Sequence, residues 1–317
     1  MKFNDVKICV VGGGNWGKNH LNTLDKIGNL GGLVDENQAL TKIYKKKFPY
    51  LKIFRDIDHA LEEKIFQGFV VATPAKTHYE LSKKILNSGC NLLVEKPFCE
   101  TLRQAKSLAN LALKKDLCLM VGHLLLFHGA IRKIKDIIDK KVLGKVKYIY
   151  INRVNLGKVR DFEDVFWSLG PHDVSIINYL IDQAPSKINS TSHSFLQKGI
   201  SDIQITNLIF GNDLKAHIFN SWYNPYKEHR VVVIGSRGMV DFRDDKKSYL
   251  RLYKINAEKK DFGISNNSKN FKSVSFKKSM PLEEELKYFI KNIREEKQAI
   301  ISGPKSAVEV TKIMSQL

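Results

Sequence analysis

Lys7-Ile8-Cys9-Val10-Val11-Gly12-Gly13-Gly14-Asn15-Trp16-Gly17 is the stretch on which the fold turns. Its apolar half reads as a buried strand, and Trp16 to Ile27 reads as a helix. The turn between them fits G-x-G-x-x-G. Gly12 permits a tight turn, Gly14 lets the backbone approach a pyrophosphate, and Gly17 lets helix and strand pack closely. Asn15 and Trp16 open the helix, where free N–H groups and the dipole favour an anion. Such a turn alone is a weak signal, so its context matters. Leu30-Gly31-Gly32-Leu33-Val34 reads as the second strand and ends in Asp35, 18 residues after Gly17. That is close to the spacing of a ribose 2′-hydroxyl acceptor. A carboxylate there repels a 2′-phosphate, and no arginine follows among Glu36, Asn37 and Gln38. The expected cofactor is NAD. The competing reading of Asp35 is a helix N-cap, since Glu36 to Phe48 reads helical.

The βα alternation continues outward. Phe69 to Pro74 reads as a strand and turn, Thr77 to Ser88 as a helix with His78 in its first turn, Leu92-Leu93-Val94 as a strand, Thr101 to Lys115 as a helix, and Leu117 to Gly122 as a strand. This implies a doubly wound parallel sheet over residues 1–122. Ligands bind at the carboxyl edge of such sheets. The strand ends there would line up the glycine turn, Asp35, Thr73-Pro74, Lys96 and His123. In Glu95-Lys96-Pro97, Pro97 lacks the N–H needed to continue the ladder, so Lys96 projects at the edge. Glu95 is expected to fix the cofactor side of that turn.

Length and composition frame this reading. A chain of 317 residues, 43% hydrophobic and 27% charged, suits two globular domains. No apolar run approaches the roughly 18 residues of a membrane span. Met1-Lys2-Phe3-Asn4-Asp5 runs straight into a strand, without a signal-peptide pattern, so a cytoplasmic protein is expected. Cys9, Cys90, Cys99 and Cys118 form no C-x-x-C pair, and neither disulfide framework nor metal site is indicated. Cys99, near Lys96, is a candidate reactive thiol. The net charge of +19 is lysine spread over most segments, with no nucleic-acid-binding motif beside it. It suits attraction of an anionic substrate rather than nucleic acid.

From residue 123 to 317 the pattern changes to a helix over Phe127 to Lys140 and alternating strands at Val146 to Val154, Ile203 to Phe210, Lys215 to Trp222, Val231 to Ile234 and Met239 to Phe242. These predict an α+β domain with a large, open, mostly antiparallel sheet. Within Phe166 to Ile177, Pro171 or Asp173 reads as a helix start. His172 would then stand at a helix N-terminus, where the dipole keeps an imidazole neutral and fit to act as a base. Residues 254–275, rich in Lys, Asn and Ser, read as a loop or hairpin.

In this order, Gly12–Gly17, Asp35, Thr73-Pro74 with His78, Glu95-Lys96-Pro97 and Gly170-Pro171-His172 resemble the glucose–fructose oxidoreductase/inositol dehydrogenase (Gfo/Idh/MocA) family over essentially the full length. The resemblance implies an N-terminal Rossmann domain, a C-terminal α/β domain with an open sheet, and redox chemistry on a sugar or cyclitol carbon. It implies that Lys96 hydrogen-bonds the reacting oxygen and that His172 is the catalytic histidine. Many members place an aspartate four residues before that histidine; here stands Ser168. That puts the aspartate–histidine proton path in doubt, with Asp173 as an alternative group to orient the imidazole.

Asn152-Arg153-Val154-Asn155-Leu156-Gly157 and Ser221 to Arg230 are similar to the bacterial sugar-nucleotide branch of that family. The likeness implies oxidation of UDP-N-acetylglucosamine, or its uronic acid, to a 3-keto sugar that a PLP aminotransferase would consume in making lipid A or surface polysaccharide. It further implies 2-oxoglutarate as an electron acceptor and a homo-dimer or homo-tetramer. Arg153, Asn155, Lys227 and Arg230, with Lys96, His172 and Asp173, are the candidate substrate contacts. A dehydrogenase of a free sugar or inositol, and a non-catalytic NAD-binding sensor, are the competing readings.

Overall fold

The computed structural model describes residues 6–157, 159–160, 163–211, 213–245, 248–254 and 271–317. The chain divides into two compact units: Met1–Phe127 with Ser279–Ser315, and His128–Lys278 with Gln316–Leu317.

The first unit runs β1 (Ile8–Val11), α1 (Asn15–Lys26), β2 (Leu30–Val34), α2 (Gln38–Lys47), β3 (Lys52–Phe54), α3 (Ile57–Glu62), β4 (Gly68–Val71), α4 (His78–Asn87), β5 (Asn91–Val94), α5 (Leu102–Lys114) and β6 (Leu119–Val121). The six strands are parallel in the order β3-β2-β1-β4-β5-β6. Every residue of β1, β4 and β6 is buried, as helices on both faces require. Strand order reverses between β1 and β4, and the crevice beyond their carboxyl ends is where such sheets bind ligands. The sequence reading misses β3 and α3, which are three and six residues long, too short to show a period.

The second unit runs α6 (Gly129–Asp139), β7 (Val146–Leu156), α7 (Val165–Ile181), β8 (Lys187–His193), β9 (Ile203–Ile209), β10 (Lys215–Ser221), β11 (Tyr223–Gly235), β12 (Gly238–Arg243), β13 (Tyr249–Lys254) and β14 (Phe271–Ser273). Its eight strands lie in the order β14-β13-β12-β11-β7-β10-β9-β8. All neighbours are antiparallel except β7 and β10. In β7, Ile149, Ile151 and Arg153 are buried on the face that α7 covers, while Tyr148, Tyr150 and Asn152 stand on the other face, half-exposed. On that open face the Tyr150 and His217 rings stack, and the Arg251 guanidinium lies over Tyr249 and Phe271. Residues 255–270, most of the expected loop or hairpin, lie outside the described residues.

The C-terminus departs from the sequence reading, which gave 123–317 to the second domain. The helices α8 (Pro281–Arg294) and α9 (Pro304–Met314) belong to the first unit instead. There α9 packs on α5, and α8 packs on α1. Ser302 closes the return onto β6: its carbonyl accepts from the Val121 N–H at 3.0 Å, and its hydroxyl donates to the Val121 carbonyl at 2.6 Å. An amphipathic helix shows in sequence that it has a core face, but not which core it meets.

Candidate cofactor and catalytic site

The glycine turn is closed sterically. Gly12 adopts φ +93°, and a side chain there would meet Thr73 and the Ala72 carbonyl at 2.9–3.0 Å. A Cβ on Gly17 would lie 1.8 Å from the Gly12 carbonyl oxygen, so no larger residue fits. Gly14 is the opposite case: exposed, with nothing within 4 Å of an added Cβ. It caps α1 with no side-chain bond, so the first N–H groups of the helix, beside exposed Asn15 and Trp16, face an open approach.

Asp35 is not the cap of α2. Asn37 caps α2, accepting from the Ala39 and Leu40 N–H groups. The Asp35 carboxylate accepts from Gly13 N–H at 2.6 Å and Asn37 N–H at 2.8 Å. It is thereby held at the end of β2 beside the glycine turn, the place of a ribose acceptor. Sequence reasoning overlooked Tyr44, whose hydroxyl donates to the Gly13 carbonyl at 2.8 Å. Open Gly14, the uncapped helix and a fixed acidic side chain together fit a dinucleotide without a 2′-phosphate.

Around β4 and β5 some expectations change. Thr73 and Pro74 stand at the sheet edge as expected. His78, read as a cofactor contact, is 1% exposed. Its Nδ1 lies 2.8 Å from the Pro97 carbonyl and its Nε2 2.9 Å from the Thr73 carbonyl, so it ties the two edge turns together. Glu95 also turns inward. Its carboxylate pairs with buried His20 Nε2 at 2.7 Å and accepts from the Lys96 N–H at 3.3 Å. It braces the turn from behind. Lys96 is half-buried at the end of β5. His123, another expected cofactor contact, is 2% exposed. The Ser302 hydroxyl already donates to Val121, so its oxygen accepts from His123 Nδ1 at 3.0 Å, leaving a lone pair on Nε2. Burial, with the Lys96 charge, brings its pKa down to about 3. Cys99, the candidate reactive thiol, is buried and held up at about 12, chiefly by desolvation, so it is a packing residue.

His172 is not at a helix N-terminus. α7 starts at Val165, capped by Asp164, which accepts from the Trp167 N–H at 2.8 Å, and Pro171 lies inside the helix. A proline read as a first-turn residue misplaced the start. The dipole argument for His172 fails, because that effect fades beyond the first turn. Ser168 and His172 instead share one helix face, a turn apart.

The expected anion contacts are largely spent on carboxylates. Asp173 is fully buried; it accepts from Arg153 Nε at 2.8 Å and from Asn220 Nδ2 at 2.8 Å. Burial pushes its carboxyl above the ordinary range, against the pull of Arg153. Through that carboxylate it clamps α7 to β7 and β10. Arg230 makes a two-pronged bond to Asp241 at 2.8 and 2.9 Å. Lys227 is exposed and Asn155 half-buried. Overlooked until now is His229, opposite Arg153 in the β7–β11 ladder. Burial and then the Arg153 and Lys227 charges bring its pKa down to about 3.

With the geometry in hand, comparison with known proteins decides the family. Residues 6–123 match the oxidoreductase family with NAD-binding Rossmann fold, and residues 131–241 match the GFO/IDH/MocA C-terminal domain. The chain belongs to the GFO/IDH/MocA family. Its first unit is an NAD-binding Rossmann domain of an oxidoreductase family. An uncharacterized oxidoreductase of Schizosaccharomyces pombe is 33% identical over 167 residues, 50% of this chain and 43% of the relative. The UDP-N-acetylglucosamine 3-dehydrogenase of Acidithiobacillus ferrooxidans is 26% identical over 191 residues, 58% of this chain and 57% of the relative. The chain thus spans about half the length of the curated relatives it matches. The solved structure of that bacterium's enzyme superposes with a TM-score of 0.86 at 20% identity, covering 98% of this chain and 96% of the other. GenD2 from gentamicin A biosynthesis, solved in complex with NAD, gives 0.81 at 20% identity, covering 99% and 93%. At these identities the superpositions speak for the fold.

In this GFO/IDH/MocA chain the two depressed histidines make a pH prediction. Their folded values, about 3, lie below the ordinary 6.5, so the unfolded chain binds more protons between those limits. Their contribution to stability is present above pH 6.5 and is lost as pH falls toward 3, at up to about 1.4 kcal/mol per pH unit for each. Urea unfolding of wild type and His123→Asn from pH 7.5 to 4.5 checks this. The variant should show the shallower acid limb; parallel limbs would remove His123 from the account.

Proposed function

We propose that the protein oxidises the C3 hydroxyl of a UDP-N-acetylhexosamine, UDP-N-acetylglucosamine foremost, to the 3-keto sugar nucleotide. The observation carrying this reading is Lys96, braced at the carboxyl edge of an NAD-binding sheet. The similarity to a UDP-N-acetylglucosamine 3-dehydrogenase directs the choice of substrate. When bound, NAD⁺ supplies the hydride acceptor, and the fold's part is alignment. Lys96 stabilises negative charge on the sugar oxygen as the ketone forms. His172 takes the hydroxyl proton. Exposed Lys227 and neutral His229 suit the polar groups of the nucleotide sugar. The product would be consumed by a PLP-dependent aminotransferase, and 2-oxoglutarate would reoxidise the cofactor.

The test is a panel of UDP-sugars, UDP-sugar uronates, free sugars and inositol with NAD⁺, with and without 2-oxoglutarate, read by mass spectrometry for loss of two hydrogens. UDP alone should raise Tm, by the equivalent of about 2.7 kcal/mol at a hundredfold excess over Kd. A response to free sugar or inositol, with none to UDP, would move the substrate to the unactivated polyols.

The open face of the second sheet, with Tyr150, His217, Tyr249, Arg251 and Phe271, supports a homo-dimer or homo-tetramer built on it, since aromatic and arginine side chains favour interfaces. Tyr150→Glu should lower the mass seen by light scattering. An unchanged mass would place the contact elsewhere.

A further inference from the structure

Behind Lys96 lies a cluster that the dehydrogenase chemistry does not use. Glu285 of α8 is fully buried, and neither carboxyl oxygen has a hydrogen-bond partner among the described residues. His20 of α1 is fully buried too, its Nδ1 equally unmatched. Glu95 joins the set: His20 Nε2 holds one of its oxygens at 2.7 Å, and the other accepts from the Lys96 N–H at 3.3 Å. A Cβ on Gly122 would lie 3.0 Å from the Glu95 carboxyl, so that glycine makes the room in which the carboxylate turns inward. α1 and α8 pack together, and their surface ends are joined by Lys26 and Glu283 at 2.7 Å.

A buried carboxyl without partners is a standing cost that needs a reason. Two carboxyl groups sharing a buried site do not both ionise readily. Glu95 is the one with a histidine and an amide N–H in support, so Glu285 keeps its proton. Burial, and secondly the Glu95 charge, push its carboxyl well above the ordinary range. The unmatched atoms of Glu285 and His20 are one donor and several acceptors in a polar interior, and the ligand they suit is internal water.

We propose that His20, Glu95 and Glu285 form one buried hydrogen-bonded unit, completed by internal water, that fixes the Glu95–Lys96 turn, with Glu285 as a positioning residue for Lys96. Its bearing on catalysis rests on the proposed dehydrogenase reading; its bearing on the turn does not. The unit also explains why the C-terminal helices return to the first unit: α8 supplies the rear wall of the catalytic turn.

The experiment compares full-length wild type, Glu285→Gln and Glu285→Leu. Infrared difference spectra against Glu285→Gln should show the carbonyl stretch of a protonated carboxylic acid in wild type. Amide hydrogen exchange of the peptide carrying Lys96 should accelerate at least about tenfold in Glu285→Leu and stay near wild type in the neutral isostere Glu285→Gln. Should Glu285→Leu unfold, His20→Gln against His20→Phe poses the same question from the other side. Given a substrate, Glu285→Leu should lower kcat about tenfold or more at unchanged KM and NAD affinity. A carboxylate signal alone, or equal exchange in all three proteins, overturns the proposal whatever the substrate. Altered exchange with no dehydrogenase activity in wild type would instead leave the unit standing and remove the proposed function.

Discussion

Lys96→Met is expected to lower kcat by roughly 10²–10⁴-fold, the range for losing a positioned charge or proton-handling group. NAD affinity should remain. Methionine keeps the length and apolar stem of lysine, while Glu95, His20, Gly122 and the glycine turn, which shape the edge, are untouched. The loss should fall on kcat and kcat/KM alike, because the ammonium is asked to act when charge develops on the oxygen. Stopped-flow turnover, alongside NAD titration by calorimetry, separates these quantities. Turnover within threefold of wild type would exclude Lys96 from the chemistry.

Arg153→Leu is expected to destabilise the protein by about 3–5 kcal/mol, the usual result of stranding one partner of a buried ion pair. Arg153 is 7% exposed, and Asp173 is fully buried. Without the guanidinium only the Asn220 amide would serve the carboxylate. The double variant Arg153→Leu/Asp173→Leu should recover most of the loss, since paired replacement by apolar residues is often close to neutral. Urea unfolding at pH 7 over the four-member cycle gives the coupling energy. A loss under 1 kcal/mol in the single variant would show that α7 is held to the sheet by its apolar contacts instead. The pair matters for function because Asp173 adjoins His172, so the clamp sets where that imidazole lies.

The parallel sheet was legible because its signals are local. A glycine turn, an acid at the end of the second strand and a proline after Lys96 each act through nearby backbone chemistry, and β2 runs from Leu30 to Val34 as its residues suggest. What failed needed distant partners. Arg153 and Arg230 look like free charges in sequence, and only the ladders and α7 reveal Asp173 and Asp241 opposite them. His78 and Glu95 carry polar side chains at the edge, yet both turn inward, toward groups 19 and 75 residues away in sequence. Pro171 shows a local rule overridden, since the helix begins six residues earlier, at Val165, and runs through the proline. Glu285 gave no signal at all, because a glutamate on an amphipathic helix reads as solvent-facing until the core it enters is known.

The most direct measurement of the central claim uses UDP-N-acetylglucosamine deuterated at C3, incubated with NAD⁺ and either wild type or Lys96→Met. Wild type should yield a sugar nucleotide that has lost the C3 deuterium and its hydroxyl proton, with the deuterium recovered in the reduced nicotinamide, while Lys96→Met yields almost none. Wild type that binds NAD but leaves the label on C3 of every UDP-sugar offered would contradict the account.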